Sequence, residues 1–208
     1  MIFKHLRVWR DAVWRSGPEN MAVDEWLMSQ VAADPILRLY NWSGDWASYG
    51  YFQEKETAQA LFGDSLSYVR RWTGGGVVDH RADATYTLAM SKSEPVARLR
   101  GDESYRAIHE AVACCLTRVG KPARLAETSG AGNSAACFEK AVYWDILDTD
   151  GKKLAGAGQR RGRLGFLHQG SVAATSKEIA FLPDLLAETW DPWKPAGEGW
   201  EELVVKYL

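Results

Sequence analysis

The sequence predicts an α+β (mixed α/β) domain in which helices flank a β-sheet. Two segments have the periodicity of amphipathic helices, and several others are short, apolar and rich in β-branched and aromatic residues. The two kinds of segment do not alternate regularly, which argues against a doubly wound parallel sheet. The chain has 208 residues, 46% of them hydrophobic, and is expected to form a single domain over residues 1–208.

The first half of the chain is predicted to contain one helix and several strands. The helix should span residues 21–31, because Asn20 is a residue type that caps helices and Asp24 would lie in the first turn, where the helix dipole favours acids. Segments 36–42 and 46–52 are expected to pair as strands, since a short polar turn separates them. Strands are predicted at residues 3–9, 36–42, 46–52, 67–69 and 84–90.

The second half contains the clearest helix, at residues 103–119. Apolar residues recur there every three or four positions, and Gly120 and Pro122 follow as helix-ending residues. Cys114 and Cys115 belong to this helix and are predicted to lie in or near the core.

Residues 125–136 are small and polar, which predicts a mobile loop, with a lid over a site as one role for it. A hairpin turn is expected at residues 148–151, and the tail should hold one or two short helices with residues 190–193 between them. Strands are predicted at residues 141–147, 153–160 and 164–172.

Composition argues against several classes of partner. The net charge of -2 gives no electrostatic reason to expect nucleic-acid binding. No apolar run approaches the length of a membrane span or a signal peptide, so we expect a cytoplasmic protein without a membrane partner. The three cysteines lack metal-ligand spacing, which predicts no metal site and fits a reducing compartment.

Residues 70–80 form the most informative motif, with two arginines, a triple glycine and a histidine close together. Glycine lets bare backbone N–H groups approach a ligand, and two guanidiniums add charge and paired donors. A phosphate or carboxylate site is therefore predicted, with His80 as a base or a phosphate donor. The alternative is a hairpin turn with solvated arginines. The residues concerned are Arg70, Arg71, Gly74, Gly75 and Gly76.

Two further segments carry candidate chemistry. Small residues follow Lys153, and in a strand they often mark a close approach of a ligand, whose developing negative charge the lysine could stabilise. Cys137 ends the small polar loop, where a thiol near a cation would be a nucleophile. The alternatives are a solvated hairpin lysine and a half-buried structural thiol. His168, close to Gly170, is a weaker candidate.

Six segments, in order along residues 10–175, resemble the motifs of the lipoate-attachment family, which comprises lipoate–protein ligases and related octanoyltransferases. The resemblance implies a biotin/lipoate protein ligase-like catalytic domain, a mixed β-sheet flanked by helices, here without a C-terminal accessory domain. The segments are Asn20–Glu25, Arg38–Tyr40, Ser48–Gln53, Arg70–His80, Lys153–Arg161 and Leu167–Ser171.

The resemblance also implies a function. An octanoyl or lipoyl group would pass to one lysine of a lipoyl domain, in 2-oxoacid dehydrogenases or the glycine cleavage H protein. By matching position, Lys153 would orient and polarise the acyl carbonyl. No permanently bound cofactor is implied, since lipoate or octanoate is a substrate. The residues that would line the acyl or acyl-adenylate pocket are Arg70, Arg71, Thr73, Gly74, Gly75, Gly76, His80, Gly156, Ala157 and His168.

Cys137 bears on which branch of the family the chain resembles. The segment that it begins is similar to one in cysteine-dependent octanoyltransferases, where the cysteine carries the acyl group as a thioester. The donor there is acyl carrier protein or another lipoyl domain. The alternative is a ligase, which uses ATP and Mg²⁺ to form an acyl-adenylate first.

The chain departs from the family motifs in two places. Arg81 follows His80 where the family motif has an aspartate, and the asparagine expected before the next threonine is also absent, so polar groups expected around a nucleotide and Mg²⁺ are missing, which argues against adenylation. Gln169 separates His168 from Gly170, where the family has the histidine directly before the glycine. A third alternative is therefore a non-catalytic protein that binds lipoyl domains or free acyl ligand.

Overall fold

Two β-sheets organise the fold, seen in a computed structural model that describes residues 1–128, 141–197 and 199–208. The strands in these ranges are β1 (Phe3–Arg10), β2 (Ile36–Tyr40), β3 (Trp46–Tyr49), β4 (Ser67–Arg70), β5 (Val78–Asp79), β6 (Ala84–Met90), β7 (Arg124–Leu125), β8 (Ile146–Leu147), β9 (Lys153–Gly162), β10 (Gly165–Val172) and β11 (Ala187–Pro192). The α-helices in these ranges are α1 (Gly17–Gln30), α2 (Lys55–Phe62), α3 (Pro95–Arg98), α4 (Gly101–Arg118), α5 (Leu182–Leu186) and α6 (Glu201–Val204).

The main sheet has the strand order β11-β1-β2-β6-β10-β9-β8-β7, and a smaller sheet has the order β4-β3-β5. Strand β1 runs parallel to both of its neighbours, whereas the pairs from β2 to β7 are antiparallel. Strand β3 is parallel to β4 and antiparallel to β5. The predicted mixed sheet flanked by helices is confirmed.

Helices cover both faces of the main sheet. Helices α4 and α5 pack on one face, where Ile108, Val112 and Leu116 join the largest hydrophobic cluster. Helix α1 packs on the other face with the C-terminal helix α6, through a second cluster that includes Leu27 and Trp200. No helix within the described ranges is long and apolar enough to span a membrane.

Helix α1 begins earlier than the sequence predicts, because Ser16 rather than Asn20 caps it. The Ser16 backbone N–H donates to the Glu19 carboxylate at 2.8 Å, and Pro18 occupies the first turn. Asn20 is instead fully buried and donates to the carbonyl oxygens of Arg15 and Asn41. Its side chain serves tertiary structure, which a local capping rule cannot anticipate.

The predicted pairing of segments 36–42 and 46–52 is wrong. Strand β2 lies between β1 and β6 in the main sheet, whereas β3 belongs to the small sheet. All five residues of β2 are buried, so this strand requires neighbours on both edges. The polar turn at residues 43–45 carries the chain from the main sheet to the small sheet.

Three other local predictions are corrected. The predicted strand 141–147 is reduced to β8, because the Asp145 N–H donates to the Val142 carbonyl and closes a turn. The tail contains β11, which pairs in parallel with β1, whereas the sequence predicts a break between short helices at residues 190–193. Cys115 is buried as predicted, but Cys114 lies on the solvent-exposed face of α4.

The predicted loop 125–136 lies partly outside the described residues. Within them, Leu125 belongs to β7, and Ala126 is buried and exchanges backbone hydrogen bonds with Trp144 and Asp145. The beginning of this segment is therefore part of the main sheet and its border.

Candidate functional site

A narrow cavity of about 20 Å³ lies where the small sheet packs against the main sheet. Strands β9 and β10 form one wall, and the small sheet with the turn after β4 forms the other. The lining residues are Met21, Tyr40, Trp42, Ser48, Arg71, Val78, His80, Thr85, Gly156, Ala157, Gly158, Gln169, Gly170 and Ser171.

Glycines allow the two walls to approach each other. A Cβ atom on Gly158 would lie 2.4 Å from the carbonyl oxygen of Gly74. The turn after β4 at residues 73–76, called here the glycine-rich turn, therefore rests directly on β9. On the opposite face of the main sheet, a Cβ atom on Gly170 would lie 2.2 Å from the Tyr86 ring, so this glycine makes room for Tyr86. The small residues of β9 and β10 therefore create the close backbone approach that the sequence predicts for a ligand-facing strand.

Arg71 braces the glycine-rich turn. Its guanidinium donates to the carbonyl oxygens of Gly74 at 3.2 Å and Gly76 at 2.7 Å, and to the Ser48 carbonyl at 2.8 Å. Gly75 has φ +105°, a conformation that favours glycine. The predicted site residue Arg71 thus lines the cavity while it shapes the turn.

Thr73 and Arg70 differ in their positions. The Thr73 hydroxyl donates to the Gln169 side-chain carbonyl at 2.7 Å and joins the turn to β10. Arg70 points to the surface, with its guanidinium 3.8 Å from Glu54 and over the Tyr49 ring. The structure therefore brings Thr73 to the edge of the cavity but does not bring Arg70 there.

His80 lies in the cavity wall at the centre of a hydrogen-bonded chain. Its Nδ1 atom is 2.8 Å from Asp83 Oδ2, its Nε2 atom is 2.7 Å from the Ser48 hydroxyl, and its ring stacks on Trp42. A carboxylate only accepts, so Nδ1 donates to Asp83, while Nε2 and the Ser48 hydroxyl share the second hydrogen bond. The connectivity is that of a Ser-His-Asp triad.

Ser48 is nevertheless placed as a brace. Its hydroxyl is fully buried and accepts a hydrogen bond from the Arg71 guanidinium at 2.8 Å. The Asp83 Oδ2 atom also accepts from Ser171 and Thr85, while Asp83 Oδ1 is buried without a hydrogen-bond partner among the described residues. Both nitrogens of His80 are therefore occupied, and a proton leaving the cavity through this ring would pass by way of Ser48.

His168 lies on the opposite side of the main sheet from the cavity. It is fully buried beneath α4, with Nε2 3.0 Å from the Tyr86 hydroxyl and Nδ1 3.0 Å from the Gln159 amide nitrogen. Burial holds the pKa of His168 well below its usual range, so the ring is neutral. Because side chains alternate along a strand, the next residue, Gln169, faces the cavity.

Sequence reasoning missed Gln169 and the buried polar cluster behind it. The Gln169 amide donates to Asp24 Oδ2 at 2.7 Å, and Asp24 also pairs with Arg38 at 2.8 Å. Burial and the Asp24 carboxylate hold the pKa of Tyr40 well above its usual range. The alternation along β10 was the signal for Gln169, whereas no local pattern marks Asp24 and Arg38 as partners.

Lys153 lies directly behind the glycine wall of the cavity. Its Nζ atom is 2.7 Å from Asp145 Oδ2, and both side chains are buried. A Cβ atom on Gly156 would lie 2.7 Å from Nζ, so the absence of a side chain there leaves the ammonium beside the cavity wall. The structure thus brings Lys153, Gly156 and Ala157 together. Cys137 lies outside the described residues.

The comparisons with known proteins give one consistent result. The family model described as the lipoyl protein ligase A/B catalytic domain matches residues 16–189. Among curated proteins, the chain is 38% identical over 166 residues to octanoyltransferase LipM of Kyrpidia tusciae, covering 74% of this chain and 60% of that protein. It is 35% identical over 181 residues to octanoyltransferase LipM of Exiguobacterium sp., covering 80% of this chain and 65% of that protein.

The chain therefore spans less than two thirds of the length of these relatives. Solved structures show the same fold at lower identity. A lipoate-protein ligase A bound with ATP aligns with TM-score 0.69 and 20% identity, covering 99% of this chain and 94% of that chain. A bi-partite lipoate protein ligase from Thermoplasma acidophilum aligns with TM-score 0.66 and 18% identity, covering 98% of this chain and 91% of that chain.

Proposed function

Because this chain belongs to the family of lipoyl protein ligase A/B catalytic domains, we propose that it transfers an octanoyl or lipoyl group to a specific lysine of lipoyl domains. The observation that carries the proposal is the buried Lys153 ammonium beside a cavity walled by the glycines of β9 and β10. The similarity to octanoyltransferases favours transfer from an acyl thioester.

In the proposed mechanism Cys137 accepts the acyl group. The Cys137 thiolate attacks the carbonyl of an octanoyl thioester, the donor thiol leaves, and an acyl-enzyme thioester remains. The amine of the target lysine then attacks this thioester, an amide forms, and the Cys137 thiolate departs. Lys153 donates a hydrogen bond to the acyl oxygen as negative charge develops there in both steps.

The acyl chain is proposed to enter between the two walls of the cavity. Met21, Trp42 and Val78 supply apolar surface for it, and Ser48 and His80 are polar groups that line the same cavity. An octanoyl chain is larger than the cavity of about 20 Å³. Binding therefore requires the two walls of the cavity to separate.

Arg81 favours the transferase over the ATP-dependent ligase. It stands where the family motif has an acidic residue, and its guanidinium pairs with Asp79 at 2.6 Å. A cation there cannot hold Mg²⁺. ATP, as a substrate, and Mg²⁺, as the ion bound with it, would be needed only in the ligase alternative. Lipoyl domains of 2-oxoacid dehydrogenases and the glycine cleavage H protein are the proposed acceptors, and acyl carrier protein is the proposed donor.

The test is the intact mass of an apo lipoyl domain after incubation with the protein. One reaction contains octanoyl-acyl carrier protein without ATP, and the other contains lipoate with ATP and Mg²⁺. We expect one octanoyl group to be added in the first reaction alone. Modification only in the second would make the protein a ligase, and lipoate binding without product in either would make it a non-catalytic binder.

Two substitutions test the proposed roles. Cys137→Ser should abolish transfer, and Lys153→Met should lower the transfer rate by about 100-fold or more, because the charge that stabilises the acyl oxyanion is lost. Rates of octanoyl transfer at equal acceptor concentration check both. The control is Cys114→Ser, which changes an exposed cysteine on α4 and should leave the rate unchanged. Full activity of Cys137→Ser would remove the thioester step from the mechanism.

A further inference from the structure

Asp145 holds the Lys153 ammonium by a short buried contact. The two atoms Asp145 Oδ2 and Lys153 Nζ are 2.7 Å apart, and the side chains are 0% and 3% exposed. A buried ammonium is costly without a hydrogen-bonded counter-charge, so this carboxylate favours the charged form of the lysine.

The Asp145 carboxylate is itself held by two further hydrogen bonds, one from α4 and one from within its own turn. Its Oδ1 atom accepts from the Tyr105 hydroxyl on α4 at 2.6 Å, and its Oδ2 atom accepts from the Val142 N–H at 2.7 Å. The Tyr105 hydroxyl in turn accepts from the Ala157 N–H on β9 at 2.8 Å. Tyr105 therefore ties the carboxylate to the same glycine-rich strand that forms the cavity wall.

The turn that carries Asp145 is also constrained. Trp144, directly before it, has φ +69°, a conformation that non-glycine residues rarely adopt. The Trp144 carbonyl accepts from His109 Nδ1 on α4 at 2.7 Å, which holds the turn in place. Helix α4 thus positions Asp145 through both its side chain and its backbone.

An amine beside an activated acyl group presents a chemical hazard to such a site. Uncharged Lys153 could attack the thioester carbonyl, so that a C–N bond forms, the C–S bond breaks, and the amine proton leaves with the thiolate as a thiol. The product would be a stable amide on the enzyme itself. An ammonium has no lone pair and cannot make this attack.

We propose that Asp145, positioned by Tyr105, keeps Lys153 as a charged hydrogen-bond donor and thereby prevents the protein from acylating itself at this lysine. The inference rests on the proposed function, because it assumes an acyl thioester at the cavity. Asp145 is a positioning residue that acts through Lys153.

The test measures amide formation at Lys153 in the full chain without any acceptor. The protein is incubated with octanoyl-acyl carrier protein and treated with hydroxylamine, which removes thioesters but not amides. Peptides from a protease that does not cut at lysine are then analysed by mass spectrometry. Lys152, the exposed neighbouring lysine, is the internal reference. A parallel arm uses the N-hydroxysuccinimide ester of octanoate, which acylates uncharged amines without enzymatic help.

We expect Asp145→Asn to raise acylation of Lys153 relative to Lys152 at least about tenfold in both arms, since a neutral amide no longer favours the ammonium. Tyr105→Phe should raise it by a few-fold, because the carboxylate stays but loses one hydrogen bond. Asp150→Asn, which changes an exposed acid in the turn before β9, should leave the ratio unchanged. If Asp145→Asn fails to fold, the Lys153 to Lys152 acylation ratio of Tyr105→Phe tests the inference instead.

An unchanged Lys153 to Lys152 ratio in the folded variants would overturn the inference. Failure of the proposed function gives a different pattern. Wild-type protein would then leave the apo lipoyl domain unmodified, while the reactive ester would still report a rise in Lys153 acylation in Asp145→Asn.

Discussion

Arg38 shows how much of the site is supported by one buried residue. Its guanidinium is fully buried and donates to Asp24 at 2.8 Å and to Asp11 at 2.8 Å, while its flat face lies over the rings of Trp9 and Tyr40. Planar geometry and several donors make arginine suited to such a position. Through Asp24 this cluster reaches Gln169 and the cavity.

We predict that Arg38→Met destabilises the protein by about 3–5 kcal/mol, because two carboxylates stay buried after their shared partner is removed. Urea unfolding checks this, with Glu110→Gln as the control. Glu110 pairs with Arg106 on the surface of α4, and both side chains are more than half exposed, so its loss should cost about 1 kcal/mol or less. Equal effects of the two substitutions would contradict the supporting role of Arg38.

At the scale of elements, contact between the glycine-rich turn and β9 shapes the cavity. A Cβ atom on Gly158 would lie 2.4 Å from the Gly74 carbonyl oxygen and 2.6 Å from the Thr73 hydroxyl oxygen, too close for either contact to remain unchanged. At the far end of the same strand, a Cβ atom on Gly162 would meet nothing within 4 Å. Strand β9 therefore contains one glycine at which an added methyl group would clash, Gly158, and a control glycine at which it would not, Gly162.

We predict that Gly158→Ala lowers the rate of octanoyl transfer by about tenfold or more, because the methyl group displaces backbone atoms of the turn and a shift of about 1 Å at a reacting group is costly. Gly162→Ala should stay within twofold of the wild-type rate. Rates and urea unfolding are measured together, so that a loss of folding is separated from a loss of geometry. Equal rates in both variants would mean that the turn tolerates displacement.

At the scale of the whole molecule, buried neutral histidines link stability to pH. Burial lowers the pKa of His109 to about 4 from 6.5, and it lowers the pKa of His168 as well. His109 Nδ1 bonds to the Trp144 carbonyl, and its Nε2 atom is buried without a partner among the described residues. Protonation of either ring is therefore unfavourable in the folded state.

The sign of the pH effect follows from these lowered pKa values. Between pH 6.5 and 4 the unfolded chain binds a proton at His109 that the folded protein does not, so stability falls as the pH falls through this window. We predict a loss of about 3 kcal/mol from His109 alone. Free energies of unfolding at pH 7.5 and 4.5 check this, and His109→Gln should have a smaller difference between the two values than wild type. An identical difference would exclude His109 as the cause.

Much of the fold was predictable because its signals are local. Strand β6 has the predicted bounds, β9 and β10 lie within two residues of the predicted ones, and the hairpin turn before β9 is present. Amphipathic periodicity likewise predicts α4, and small residues on β9 mark the wall to which a ligand would come close. These features depend on residues near one another in the chain.

What remained unpredictable depends on residues far apart in the chain. Local rules place Asp24 in the first turn of a helix and Asn20 at its cap, but only the packed sheet shows that both surround Arg38. The separation of β2 from β3 into two sheets is equally non-local, because it depends on pairing with strands that lie elsewhere in the chain.

The sequence by itself determined the fold class, the glycine-rich turn and the candidates Lys153 and His80, because motif spacing and residue type carry that information. Only the tertiary structure decided that Arg70 faces solvent, that Gln169 rather than His168 faces the cavity, and that Asp145 holds Lys153. The physical reason is that burial, strand alternation and ion pairing arise when distant segments pack together.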